Sequence, residues 1–339
     1  MGWNCLINRF EVRSKMETET KRGHKALKII GIILLILFAA GVIFFIKGKI
    51  HESHPWYDDD YFDALKTDAV LEKKYSGRGS FETACTEFKS DNSRIDTIRV
   101  FYPAELADSN RSYPMIVSVN ASGTRARNYT AVLDRIASWG FIVVGNDDPQ
   151  SGTGETASQT LDLILNIGAD SDLYGKIDKN NIGIMGYSQG GAGALCAVTN
   201  FDNGKMYKTI FTGSAAYPFL AHNMGWDYDV SKVSIPYFMT SGTGKTDDAG
   251  VTDITKDFAG VCPLEAVITN YNSISDDVEK VRARATGAEH EDMLVRSDGY
   301  MTAWMLYQLC GAEEAAKVFV GDDAEILHNS NWQDIEKND

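Results

Sequence analysis

The chain has 339 residues, 44% of them hydrophobic and 24% charged, with a net charge of −14. That length and apolar content exclude a disordered chain and leave room for one large domain with a sizeable core plus an appendage. Residues 1–46 hold seven Lys/Arg against three Glu, so the remainder carries −18, a surplus that repels phosphate backbones and speaks against a nucleic-acid partner.

Five cysteines, Cys5, Cys85, Cys196, Cys262 and Cys310, are scattered, with no Cys-x-x-Cys pair and no histidine at ligand spacing. The pattern argues against a structural zinc site, and no metal is implied. Cys5 precedes the hydrophobic run; the other four could pair in an oxidising compartment, and spacing does not decide whether they do.

Residues 1–28 form a basic amino-terminal segment. Residues 29–46, IIGIILLILFAAGVIFFI, are uncharged and apolar throughout; as a helix rising about 1.5 Å per residue they reach roughly 27 Å, close to a hydrocarbon core's thickness. The run exceeds the usual signal-peptide core of about 7–15 residues, and no small-x-small site follows it, so a transmembrane signal-anchor is expected rather than a cleaved leader. Arg9, Arg13, Lys15, Lys21, Arg22, Lys25 and Lys28 precede it and the acidic HESHPWYDDDYFD follows. The charge bias predicts a single-pass cell-membrane protein with a cytoplasmic amino terminus and an external domain.

Residues 47–75 are polar and aromatic without a sustained period and read as a juxtamembrane linker. Asp58, Asp59 and Asp60 lack the alternating spacing of a calcium loop and are assigned no role. Residues 76–339 read as the main domain. TACTEFKS and IDTIRVFYPA, joined by SDNSR, suggest an antiparallel pair. The strand-like runs PMIVSVNA, FIVVGND, NIGIMGY, KTIFTGSAA, IPYFMTSG and KVRARATG then alternate with helical stretches that include NYTAVLDRIASWG, ETASQTLDLILNIG, GAGALCAVTNF and SDGYMTAWMLYQL. This order predicts an α/β fold, a mostly parallel central sheet with helices on both faces. In such sheets ligands sit where strands deliver their carboxyl ends.

Gly186-Tyr187-Ser188-Gln189-Gly190 follows an apolar strand and opens a Gly/Ala-rich helix. A Gly-x-Ser-x-Gly string carries weight in that setting, because the serine must stand in a sharp turn where side chains two residues away would strike neighbouring backbone. Ser188 is therefore the candidate nucleophile, and the helix points its positive end at a developing oxyanion. A serine hydroxyl needs a base held by a carboxylate, in the chain order Ser, acid, His. Of His222, His290 and His328, only His290 follows a strand and precedes a long helix. For the acid, Asp247 is preferred over Asp248, both just beyond IPYFMTSG, with Asp253 and Asp257 as further alternatives. The expected oxyanion donors are the backbone amides of Gln189 and Thr124.

These segments, ASWGFIVVG and GYSQGGAG above all, resemble the α/β-hydrolase group of chlorophyllase-like and poly(ethylene terephthalate) hydrolase-like esterases, related to dienelactone hydrolases, over most of residues 80–330. The resemblance implies an α/β-hydrolase fold, carboxylic ester hydrolysis without a cofactor, a shallow cleft, and Ser188, Asp247 and His290 as a triad. The implied substrate is a small-molecule or lipid-like ester. Tyr217, Phe219 and Trp226 lie in the region expected to supply a wall that contacts the acyl group. Polymer-active members are often secreted free of the membrane, whereas this chain carries an anchor-like segment. An acyltransferase using the same triad, or a non-catalytic surface binding module, are the alternative readings. Oligomeric state is not legible.

Overall fold

The computed structural model describes residues 54–251 and 253–338. The apolar run 29–46 and the basic segment before it lie outside the described residues. Among the described residues no helix is long and apolar enough to cross a membrane.

The strands are β1 (Thr83–Lys89), β2 (Thr97–Pro103), β3 (Tyr113–Val119), β4 (Ile142–Asn146), β5 (Ile177–Tyr187), β6 (Tyr207–Gly213), β7 (Tyr237–Gly242), β8 (Lys280–Ala285) and β9 (Trp332–Lys337). They form one sheet among the described residues, ordered β1-β2-β4-β3-β5-β6-β7-β8-β9. β3 to β8 run parallel, while β1, β2 and β9 attach antiparallel at the two sides. The hairpin expected from SDNSR is present, with Thr83 opposite Pro103 and Lys89 opposite Thr97. The main helices are α1 (Val70–Ser76), α2 (Thr130–Ala137), α3 (Glu155–Leu165), α4 (Gln189–Asn200), α5 (Pro218–Asn223), α6 (Leu264–Ser273) and α7 (Met293–Cys310).

The apolar runs become strands buried on both faces because successive side chains point to opposite sides. Met115 and Val117 of β3 join Ala157, Leu161 and Ile164 of α3, spaced to share one helix face. Ile116 joins Leu133 and Ile136 of α2 and Trp304 of α7 on the other side. Each aliphatic side chain so buried contributes about 1.5–3 kcal/mol. The parallel block therefore delivers the carboxyl ends of β3, β5, β6, β7 and β8 to one edge, where residues 120–124, 188, 214, 243–248 and 286–290 emerge.

WQDIEK forms β9: Trp332 is buried in the core and Ile335 packs against it, while Arg282 Nε lies 2.9 Å from Glu336 and Arg284 Nη1 lies 3.3 Å from Asp334. One sequence expectation changes. The described part of the expected linker, residues 55–75, belongs to the compact body. Tyr61 is buried at 8% exposure; its hydroxyl donates to Asp298 and accepts from Arg135 Nε at 2.8 Å. Glu72 of α1, wholly buried, accepts from Trp332 Nε1 at 2.6 Å and Asn329 Nδ2 at 2.8 Å. α1 lies so close to α7 that a Cβ on Gly299 would come within 2.3 Å of Ser76 Oγ. These anchors are polar and distant in sequence, so no local period announces them.

Candidate active site

β5 ends at Tyr187 and α4 begins at Gln189, so the chain reverses on the single residue between them. Ser188 takes φ +57° and ψ −125°, a conformation that costs a residue with a side chain about 1–3 kcal/mol. The surroundings hold it there: its amide donates to Gly213 O at 2.9 Å, and its carbonyl accepts from Gly191 N at 2.9 Å. The flanking glycines are steric necessities. A Cβ on Gly186 would stand 2.1 Å from Gly190 O, and one on Gly190 would stand 2.2 Å from Val119 O.

His290 opens a short turn after β8, and its Nε2 lies 2.9 Å from Ser188 Oγ. Its Nδ1 lies 2.7 Å from Asp247 Oδ1. Asp247 is fully buried, and its second oxygen accepts from Gly242 N at 2.6 Å and from the Ser214 hydroxyl. Three donors thus meet that carboxylate, which holds it rigidly against the imidazole. Asp248 turns the other way, accepting from Arg284 Nη2 at 2.8 Å and Leu264 N at 3.3 Å. The divergence follows from the turn in which both amides, Asp247 N at 3.1 Å and Asp248 N at 2.8 Å, donate to Gly244 O. Glu289 braces the two loops: it accepts from Thr246 N at 2.9 Å and Oγ1 at 2.6 Å, while Thr246 Oγ1 accepts from His290 N at 2.8 Å.

The remaining candidates stand elsewhere. His222 pairs with Asp227 at 2.6 Å on the exposed surface, and His328 lies in a short helix near the carboxyl end. Asp253 pairs with Lys256, and Asp257 supplies its carbonyl to the Tyr217 hydroxyl at 3.0 Å.

Two further expectations meet a different geometry. Thr124 lines the Ser188 cleft, but its amide is already engaged, donating to Ala121 O at 3.1 Å in the turn that also takes Gly123 N to Pro149 O. In the same loop the Ser122 amide has no acceptor among the described residues, and Ser122 lines the Ser188 cleft; its hydroxyl reaches Gln189 Oε1 at 3.3 Å. Gln189 is the first residue of α4, where an amide has no acceptor within the helix. Tyr217, Phe219 and Trp226 do not line the cleft. Tyr217 and Phe219 pack with Ala259, Val251 and Ile254, and the Trp226 ring covers Gly152 so closely that a Cβ there would meet it at 2.4 Å.

The cleft over Ser188 and His290 has a volume of about 480 Å³ and is walled by Trp56, Tyr57, Tyr129, Tyr187, Met293 and Leu294. Burial pushes the Tyr57, Tyr129 and Tyr187 phenols up, so these hydroxyls stay neutral. Tyr187 could have been found beside Ser188 in the motif. Trp56 and Tyr57 had one signal, the density of aromatics in HPWYDDDYFD. Among the described residues no cluster of His, Cys, Asp and Glu has the arrangement of a metal site, and Cys85, Cys196, Cys262 and Cys310 are thiols.

A serine on a strained strand-to-helix turn, at the carboxyl edge of a parallel sheet and facing an imidazole and a buried carboxylate from later loops, defines the α/β-hydrolase class. The chain belongs to the PET hydrolase-like family, whose model matches residues 66–243, just over half of its length. That match includes Ser188 and ends before Asp247 and His290. Cutinase 2 of Thermobifida cellulosilytica is 31% identical over 135 residues, 38% of this chain and 48% of that protein. Cutinase cut1 of Thermobifida fusca is also 31% identical over 135 residues, 38% of this chain and 40% of the relative. The chain thus spans about half the length of these relatives or less. Cutinase est2 of Thermobifida alba is 25% identical over 248 residues, covering 70% of this chain and 72% of its own.

Proposed function

We propose that this protein hydrolyses carboxylic esters through Ser188, His290 and Asp247, without a cofactor. The observation that carries the reading is the continuous hydrogen-bonded line from Ser188 Oγ through His290 to Asp247, at 2.9 and 2.7 Å. Membership of a family described as hydrolase-like, and relatives named cutinases, support it.

Ser188 Oγ attacks the ester carbonyl carbon as its proton passes to His290 Nε2. Asp247, held by Gly242 N and Ser214, keeps the imidazole ring oriented and stabilises its positive charge. The carbonyl electron pair moves onto oxygen, where the Gln189 and Ser122 amides serve as donors, each worth about 3 kcal/mol in the transition state. The tetrahedral species collapses as His290 gives its proton to the departing alkoxide, leaving an acyl group on Ser188. Water, deprotonated by His290, then releases the acid and restores the serine.

In this reading residues 29–46, outside the described residues, anchor the chain in the cell membrane with residues 1–28 in the cytoplasm and the hydrolase domain outside. The length of the apolar run and the basic residues before it support that topology. Retention of the full chain in alkaline-washed membranes is the expected result, and release into the wash would refute the anchor.

A panel of p-nitrophenyl esters tests the chemistry. Wild-type protein should turn over at least one, and Ser188→Ala should lose about 10⁴-fold or more; equal rates would remove Ser188 from the reaction.

A further inference from the structure

The aromatic segment before α1 both anchors itself and displays an exposed ring beside Ser188. We propose that residues 55–62 form a substrate-binding strap, in which Trp56 and Tyr57 wall the part of the cleft that takes an apolar acyl chain, favouring longer acyl esters over acetates. The proposal rests on the ester-hydrolase reading above and adds the substrate class and the residues that select it.

The strap is built into the body at several points. The Trp56 amide donates to Asn128 O at 2.9 Å. The Tyr57 ring stacks on Tyr129, with centroids 5.8 Å apart and planes 19° from parallel, and meets Tyr61 edge-on at 5.5 Å. Tyr61 is the peg: its hydroxyl joins the Arg135 and Asp298 side chains, themselves 2.6 Å apart and 0% and 1% exposed. A buried polar side chain satisfied in this way gives the segment one seating.

Trp56 behaves differently from the aromatic residues Tyr57 and Tyr61. It keeps 36% of its surface exposed while lining the cleft that contains Ser188 and His290. A large aromatic displayed at the rim of a nucleophile's cleft, on a backbone pinned from behind, offers apolar area where a ligand can cover it. Met293 and Leu294 from the start of α7 face the same space. Burial holds the neighbouring phenols protonated, and the carboxylate that also lines the cleft, Glu291, is itself exposed. Where Trp56, Tyr57, Met293 and Leu294 face the cleft, the wall suits hydrocarbon rather than a heavily hydroxylated group. The predicted wall residues Tyr217, Phe219 and Trp226 leave this role open, because they pack elsewhere.

The test compares p-nitrophenyl acetate with p-nitrophenyl octanoate, using the full chain as wild type, Trp56→Ala, Trp56→Phe and Ser188→Ala. The octanoate-to-acetate ratio of kcat/KM should fall about tenfold in Trp56→Ala, the effect of losing a large apolar contact. It should fall less in Trp56→Phe, which keeps an aromatic plane and guards against a folding defect in the alanine variant. A ratio that stays at the wild-type value in both variants, with turnover still abolished by Ser188→Ala, overturns the strap while leaving the hydrolase reading intact. Turnover that survives Ser188→Ala overturns that reading, and the strap with it.

Discussion

His290 Nε2 stands 2.9 Å from the hydroxyl of Ser188, a residue 102 positions earlier in the chain. Neither loop could hold that distance alone. Ser188 is locked by its contacts with β6 and α4, and His290 by Thr246 and Asp247, so the geometry belongs to the parallel sheet that supports both.

The two adjacent carboxylates after β7 separate cleanly. Asp247→Asn keeps the shape but presents an amide to His290 Nδ1, and kcat should drop by roughly 10³–10⁴-fold. Asp248→Asn weakens the Arg284 pair and leaves the imidazole's partner in place; its kcat is expected within about threefold of wild type, since it contributes no transition-state contact. Steady-state kinetics on one ester checks both, and equal losses would contradict the assignment.

Glu289 couples the histidine loop to pH. Hydrogen bonds from Thr246 hold its carboxyl below the ordinary 4.5. A carboxyl lowered on folding adds stability above its unfolded value and loses it as pH falls through the folded one. Wild type should therefore be more stable than Glu289→Gln at pH 7, with the difference closing below about pH 4.5. Thermal melts across pH 3–8 measure it, and a constant difference would contradict the brace.

Arg135 and Asp298 join α2 to α7 with no exposure to solvent. Burial pushes the Asp298 carboxyl up, opposed by the guanidinium and the Tyr61 hydroxyl. Arg135→Met strands that carboxyl and should cost about 3–5 kcal/mol in denaturant unfolding. Replacing both partners, as Arg135→Met with Asp298→Leu, should recover part of the loss. A single variant as stable as wild type would mean that the pair contributes nothing.

The legible parts of this protein were those with local signatures. The strand and helix alternation produced the sheet, and the Gly-Tyr-Ser-Gln-Gly turn located Ser188, because steric demands at Gly186 and Gly190 are written within five residues. His290 followed from chain order. Which of Asp247 and Asp248 faces the imidazole depends on a turn on Gly244 and on Arg284, reached across 36 residues. In the loop after β3, turn hydrogen bonds decide which amide remains available, and that choice is not written in the local sequence. The strap was hidden for the opposite reason: its peg, Tyr61, finds Asp298 across 237 residues, and no window along the chain contains both.

The central claim is that folding activates the hydroxyl at position 188 through the ring at 290. Labelling with a fluorophosphonate, followed by peptide mapping, tests it most directly. A single adduct on Ser188 in the wild type, with labelling slowed by orders of magnitude in His290→Ala, is the expected result. An adduct at another residue, or full-rate labelling of His290→Ala, would contradict it.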